Sequence, residues 1–191
     1  MRKKKGIFLD RDGVVNRRRV GDYVKMWEEF EFLPDIFDVL PKMHEAGYVV
    51  ILVTNQRGIA LQLMTEDDLS AIHEAMQGEL ARRSGHKFDG IFYCPHDNDS
   101  GCDCRKPRGG MILQGAEEFN LELKESWMIG DSETDIEAGI EAKCKTARIA
   151  EEGTPTKGMI RGSDLYEVWT SIVGGRGVIQ DSKGKIQNGR M

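Results

Sequence analysis

Short apolar runs and amphipathic stretches take turns along this chain. Residues 6–9 (Gly-Ile-Phe-Leu) are apolar and stop abruptly at Asp10. Ile36, Val39, Leu40 and Met43 recur at helical spacing in a stretch opened by Leu33-Pro34-Asp35 and closed by Ala46-Gly47. That pattern predicts a helix, bent or interrupted at Pro41. Residues 48–53 are a continuous apolar, β-branched run, as in a strand covered on both faces. Thr65 followed by Asp68 is close to a capping box and starts a helix that runs to about Arg83. Residues 91–93, 127–129 and 146–150 read as three more strands, and 110–119, 132–142 and 164–173 as three more helices. Strands alternating with helices predict an α/β fold with a doubly wound, mostly parallel sheet. Residues 1–173 read as a single domain and 174–191, rich in Gly, Lys, Gln and Asn, as a mobile tail.

Composition narrows the function classes. A chain of 191 residues builds a core without staples. Its 31% charged and 39% hydrophobic residues are those of an ordinary globular protein. The net charge of −5 speaks against a general nucleic-acid binder. No apolar run reaches the length of a membrane span. The basic start, Met1 to Lys5, leads into an apolar stretch that Asp10 cuts off too early for a signal peptide. A cytoplasmic protein with a small-molecule partner, and neither nucleic acid nor membrane, is expected. Cys94, Cys102 and Cys104 lie within eleven residues while Cys144 stands apart, and in a reducing compartment such clustering points to metal rather than disulfides.

The chemistry gathers at predicted strand ends, where open α/β sheets bind ligands. Asp10-Arg11-Asp12-Gly13 places two carboxylates one residue apart. They repel unless a cation or a shared proton holds them, which suggests a divalent metal with oxygen ligands; a plain surface turn has the same composition. Thr54-Asn55-Gln56 offers a hydroxyl and two amides, Arg105-Lys106 two cations, and Gly130-Asp131-Ser132-Glu133-Thr134-Asp135 further carboxylates at a helix start. Together they form a coherent set for phosphoryl transfer. Cys94, His96, Cys102 and Cys104 are four N/S ligands in one loop, the donor set of a closed, structural Zn²⁺ site; ordinary buried cysteines and a surface histidine are the alternative. Zinc there would pin a long loop whose far end carries Arg105 and Lys106. Cys144 is expected in the core, and His44, His73 and His86 at the surface or in packing roles.

Asp10-Arg11-Asp12-Gly13-Val14, Thr54-Asn55-Gln56, Lys106 and Gly130 to Asp135 resemble the four motifs of the haloacid dehalogenase superfamily of phosphatases. The Cys94-Pro95-His96 and Cys102-Asp103-Cys104-Arg105-Lys106-Pro107 stretch is similar to the branch that holds heptose bisphosphate phosphatases and histidinol-phosphate phosphatases. The resemblance runs from about Ile7 to Ala150. It implies a Rossmann-like, capless, monomeric Mg²⁺-dependent enzyme, its site covered by residues 16–29, 57–63 and the zinc loop. It implies Asp10 as nucleophile and Mg²⁺ ligand, and Asp12 as acid and base, its backbone carbonyl also on Mg²⁺. Asp131 would complete the protein's metal ligands, with Asp135 orienting that shell or capping the helix. Thr54 and Lys106 would bind the phosphoryl group, and Asn55 and Arg105 the substrate. The expected substrate is a heptose 1,7-bisphosphate, losing its 7-phosphate through an aspartyl-phosphate; histidinol phosphate is the alternative. A non-catalytic phosphate-binding or zinc-organised module is disfavoured by the intact Asp10 and Asp12. Arg57 stands where the heptose enzymes typically carry serine, and Leu61-Gln62 where they carry Arg-Gly. A second phosphate would explain Arg17, Arg18 and Arg19; so would a charged loop.

Overall fold

The apolar runs become strands stacked side by side. In the computed structural model, which describes residues 3–175 and the backbone of 179–180 and 186–187, one parallel sheet carries the order β3-β2-β1-β4-β5-β6. Its strands are Lys5–Leu9 (β1), Tyr48–Asn55 (β2), Gly90–Cys94 (β3), Trp127–Gly130 (β4), Lys145–Ile149 (β5) and Ile160–Gly162 (β6). β1 pairs with both β2 and β4, Leu9 lying opposite Leu52 and Ile129. The chain runs outward from β1 to one side and later to the other, so the order reverses between β1 and β4. That reversal opens a crevice at the carboxyl ends of the strands.

Side chains alternate across the sheet and fill two cores. Ile7, Leu9, Val50, Leu52 and Ile129 pack with Ile36–Glu45 (α1), Glu66–Ser84 (α3) and Leu165–Val173 (α6). Phe8, Val49, Ile51, Val53 and Met128 face Gly110–Glu118 (α4) and Glu133–Glu141 (α5) on the other side. Helices on both faces are why β2 reads as an unbroken apolar run. Thr65 and Asp68 form the expected capping box, and Gly85 (φ 74°) ends α3 in the left-handed conformation that glycine adopts at no steric cost.

Several expectations are corrected. The helix is not interrupted at Pro41, since α1 continues through it: Val39, Leu40 and Met43 are fully buried beside it, and that packing outweighs one missing hydrogen bond. The one-turn helix Arg57–Ala60 (α2) and the three-residue β6 were not expected, being too short to show a period. Cys144 is half-buried at the margin of the second core. The mobile tail expected over 174–191 falls mostly outside the described residues, of which Ile179–Gln180 (β7) and Ile186–Gln187 (β8) pair antiparallel. No described helix is long and apolar enough to cross a membrane.

Candidate active site

Asp10 leaves β1 into the crevice, its backbone N–H donating to the Ile129 carbonyl of β4 at 3.0 Å. Its carboxylate is buried and accepts from Lys106 Nζ at 2.7 Å. The same ammonium lies 2.6 Å from Asp135 Oδ1 and donates to the Val53 carbonyl at 3.0 Å. Asp10, Asp131 and Asp135 each bring an oxygen within 4.8 Å of the other two. Asp135 turns its second oxygen to the Ser132 backbone N–H and hydroxyl, at 3.0 and 2.6 Å, and so caps α5. Gly13 (φ 101°) lies against the Asp131 carboxylate, and any side chain there would displace it.

Charge crowding shows in the protonation equilibria. Burial pushes Asp10 up to about 7, against the pull of Lys106 and with help from Asp135 and Asp12. Asp131 is pushed up to about 6, first by burial, with Arg18 opposing and Asp135 adding. Burial alone would lower Lys106, but Asp10 and Asp135 hold it above its usual value. Such an excess of negative charge, with oxygen donors only, fits a hard divalent cation.

Asp12 is held differently. Arg11 Nε and Gln56 Nε2 donate to its Oδ2 at 3.0 and 3.1 Å, and Asn16 Nδ2 to its Oδ1 at 2.9 Å. Burial would raise Asp12, but the Arg11 charge and these hydrogen bonds keep it below the usual carboxylate value. Arg11 is itself 1% exposed and donates to His73 Nε2 at 3.3 Å. Burial and the Arg11 charge push His73 down to about 3, so its ring is neutral and free to accept. Sequence reasoning left both Arg11 and His73 without a site role. The available signal was an arginine flanked by two acids at the end of a buried strand.

Thr54 is buried beside Asp10's strand and accepts from Gln56 Nε2 at 2.8 Å. Asn55 has both amide atoms on the Lys106 backbone, each at 3.0 Å. Arg105 donates to the His96 carbonyl at 3.3 Å and to Asn98 Oδ1 at 2.6 Å. It lines a cavity of about 480 Å³ with Asn55, Lys106, Arg108 and Thr134. A second cavity of about 180 Å³, lined by Arg11, Asp12, Arg18, Arg19 and Tyr23, shares Asn55 with the first. Of the three consecutive arginines, Arg17 pairs outward with Glu31 and Arg19 with Glu29, each at 3.0 Å. Arg18 turns inward, to Asp131 Oδ1 at 2.9 Å. Arg57, at the start of α2, meets Asp97 of the cysteine loop at 2.6 Å.

The cysteine loop folds into a cluster. Cys94, His96, Cys102 and Cys104 present ligand atoms within 4.8 Å of one another. Sulfur pairs lie 3.5 and 3.7 Å apart, and His96 Nδ1 lies 3.2 and 3.5 Å from Cys104 and Cys94. A tetrahedral zinc with Zn–S near 2.3 Å has edges of about 3.8 Å between sulfurs and slightly less from sulfur to nitrogen, so these separations fit that ion. None of the four cysteines is in a disulfide.

Comparison with known proteins shows the family. Residues 2–143 match the model of the haloacid dehalogenase-like hydrolases. A D-glycero-beta-D-manno-heptose-1,7-bisphosphate 7-phosphatase of Helicobacter pylori J99 is 43% identical over 141 residues, 74% of this chain and 80% of the relative. The enzyme of that name from Haemophilus influenzae is 39% identical over 88% of this chain and 93% of its own. The crystal structure of the D,D-heptose 1,7-bisphosphate phosphatase of B. bronchiseptica, complexed with magnesium and phosphate, superposes with a TM-score of 0.80 at 35% identity, covering 90% and 99% of the two chains. The α-anomer enzyme of Campylobacter jejuni is 39% identical over 150 residues. With its motifs at the strand ends of the matched sheet, the chain belongs to the haloacid dehalogenase-like hydrolases.

Proposed function

We propose that this protein is a Mg²⁺-dependent phosphatase that removes the 7-phosphate of a D-glycero-D-manno-heptose 1,7-bisphosphate. The observation that carries the reading is a buried Asp10 at the sheet's reversal point, sharing Lys106 with Asp135 and facing Asp131. The similarity of about 40% to heptose bisphosphate phosphatases favours that substrate over histidinol phosphate.

In this reading one Asp10 oxygen attacks phosphorus, the P–O bond to the sugar breaks, and the departing alkoxide takes a proton from Asp12. Water then attacks phosphorus of the aspartyl-phosphate, Asp12 takes its proton, and the bond to Asp10 breaks to release phosphate. In the free protein Arg11 keeps Asp12 ionised, the form the second step needs. The first step needs it protonated, which the negative charge of an arriving phosphate favours. Lys106 and the Thr54 hydroxyl bind the phosphoryl oxygens, and Lys106 neutralises the charge that spreads over them. Asp10, the Asp12 carbonyl and Asp131 would hold Mg²⁺, which supplies Lewis acidity at phosphorus. Asp135 orients that set from the start of α5. Asn55 and Arg105 border the cavity that would take the sugar. Zinc on Cys94, His96, Cys102 and Cys104 would serve as a structural pin.

The test is phosphate release from the α and β anomers of heptose 1,7-bisphosphate and from histidinol phosphate, with Asp10→Asn as control. Fast release from a heptose anomer, lost in the variant, is expected. Preference for histidinol phosphate would move the substrate while keeping the mechanism. Turnover that survives Asp10→Asn would overturn the mechanism.

A further inference from the structure

His73 is a buried histidine that no step of the chemistry above employs. It sits on α3, 7% exposed, with its Nε2 at 3.3 Å from Arg11 Nη1. A guanidinium carries donors and no acceptor, so Nε2 accepts and the ring proton is on Nδ1. Nδ1 has no protein partner among the described residues, and the ring lines a cavity of about 410 Å³ with Glu66, Ser70 and Tyr93. Burial and the Arg11 charge disfavour a second proton on the ring, which leaves the Nε2 lone pair available. The rest of the guanidinium is committed to one carboxylate. Its Nε donates to Asp12 Oδ2 at 3.0 Å and its Nη2 to Asp12 Oδ1 at 3.2 Å. A two-pronged contact of this kind sets the plane of the carboxylate as well as its distance. Among the described residues, His73 is the one side chain besides Asp12 that Arg11 bonds. Arg11 is closed off from solvent, so without that acceptor a buried, charged donor is left unpaired. The guanidinium then turns to satisfy it, and the plane of Asp12 turns with it.

We propose that His73 is a positioning residue: its Nε2 anchors Arg11, whose fork holds the Asp12 carboxylate at the angle from which it hands a proton to the departing oxygen. This rests on the reading of Asp12 as acid and base given above, and adds to it a residue of α3 that lies outside every motif of the site. Asn16 and Gln56 also hold Asp12, so removing the anchor spoils the aim of the acid without removing the acid.

The test compares two leaving groups on the full-length, metal-loaded protein. The ratio kcat/KM covers the steps through cleavage of the P–O bond. An alkyl leaving group needs the Asp12 proton there, whereas p-nitrophenolate departs without one. His73→Leu removes the acceptor at similar volume. It is expected to lose about tenfold in kcat/KM with heptose 1,7-bisphosphate and less than about threefold with p-nitrophenyl phosphate, a fraction of what a general acid supplies. His73→Gln, whose amide oxygen can stand where Nε2 stood, is expected to recover most of that loss. Equal losses with the two substrates, full activity in His73→Leu, or a glutamine variant as poor as the leucine one overturns the proposal. ¹⁵N NMR of the wild-type protein tests the anchor with no dependence on how His73→Leu folds, the His73 signal being the one absent from His73→Gln. A neutral ring with its proton on Nδ1 is expected at neutral pH; a proton on Nε2 overturns the proposal. Should wild type release phosphate from neither substrate, the proposed function fails, and the anchor still stands or falls on the tautomer.

Discussion

Asn55 grips Lys106 by its backbone: the amide nitrogen donates to the Lys106 carbonyl and the amide oxygen accepts from the Lys106 N–H, both at 3.0 Å. The side chain expected to touch substrate, which lines both cavities, also fixes the height at which Lys106 enters the crevice from the cysteine loop. Asn55→Ala removes two hydrogen bonds to buried backbone, each worth about 1 kcal/mol. Misplacing a catalytic cation by about 1 Å costs up to about 10²-fold. The expected outcome is a modest fall in Tm with a fall in kcat of roughly 10- to 100-fold and a smaller change in KM. Lys106→Met should cost more, roughly 10²- to 10³-fold in kcat, because the charge itself is gone. Steady-state kinetics beside thermal unfolding separates the two effects.

His73 gives a pH signature. Its folded value, near 3, lies below the ordinary 6.5, so between those limits the unfolded chain binds a proton that the folded protein does not. Stability contributed by this site is therefore present above about pH 6.5 and is lost as pH falls toward 3, at up to about 1.4 kcal/mol per unit. Asp10 and Asp131, raised to about 7 and 6, work in the opposite direction, so the wild-type curve alone does not isolate the histidine. The difference between wild type and His73→Gln does. In urea denaturation at pH 4.5 to 7.5 that difference should favour wild type most at the upper end and shrink with acidity. A difference independent of pH would show that the ring is not held neutral against Arg11.

The sheet was legible because β1, β2 and β4 are buried on both faces and announce themselves as apolar runs. α3 was legible because Thr65 and Asp68 are a capping pair and the helix stops at Gly85. β6 and α2 were not, since Ile160–Gly162 and Arg57–Ala60 are shorter than the periods that would reveal them. The cluster of Asp10, Asp131 and Asp135 could be anticipated from strand-end positions, and Asp135 as a helix cap from its spacing to Ser132. What each polar side chain bonds to could not. Arg11 reads in sequence as a spacer between two aspartates, but the strand end leaves it no route to solvent, and burial forces it onto Asp12 and His73. The division of labour among Arg17, Arg18 and Arg19 depends on where Glu29, Glu31 and Asp131 arrive from distant parts of the chain.

Zinc is expected to be removable with a measurable consequence for chemistry some residues away. Zinc on Cys94, His96, Cys102 and Cys104 would close residues 94–104 into a loop, and Arg105 and Lys106 follow directly. Without a cation, the crowded thiols titrate unequally: Cys102 is drawn down to about 6, where hydrogen bonds from its neighbours outweigh burial, and Cys104 is pushed up to about 12 by burial and the adjoining sulfurs. Elemental analysis should find one zinc per chain. A strong chelator should then make three thiols reactive, while Cys144, pushed up to about 12 by burial, reacts slowly. Activity should fall with zinc loss and return on adding zinc but not on adding Mg²⁺. Full activity in zinc-free protein would separate the loop from the placement of Lys106.

Arg57 and Asp97 tie the turn after Thr54-Asn55-Gln56 to the cysteine loop at 2.6 Å. Both side chains are partly exposed, so the pair is screened by water and salt and contributes little to global stability. Its effect is local, because it joins two of the segments that border the site and its partner Asp97 also accepts from the Asn98 backbone N–H at 2.6 Å. Arg57→Ser, the residue typical of the heptose enzymes at this position, should therefore leave Tm nearly unchanged. It should also speed amide hydrogen exchange in residues 97–103 while leaving exchange in α3 and β2 as in wild type. High salt should produce the same local loosening in the wild-type protein and have little further effect on the variant. If exchange in 97–103 is indifferent to both the substitution and salt, the loop is held by its cysteine cluster alone and the ion pair is incidental.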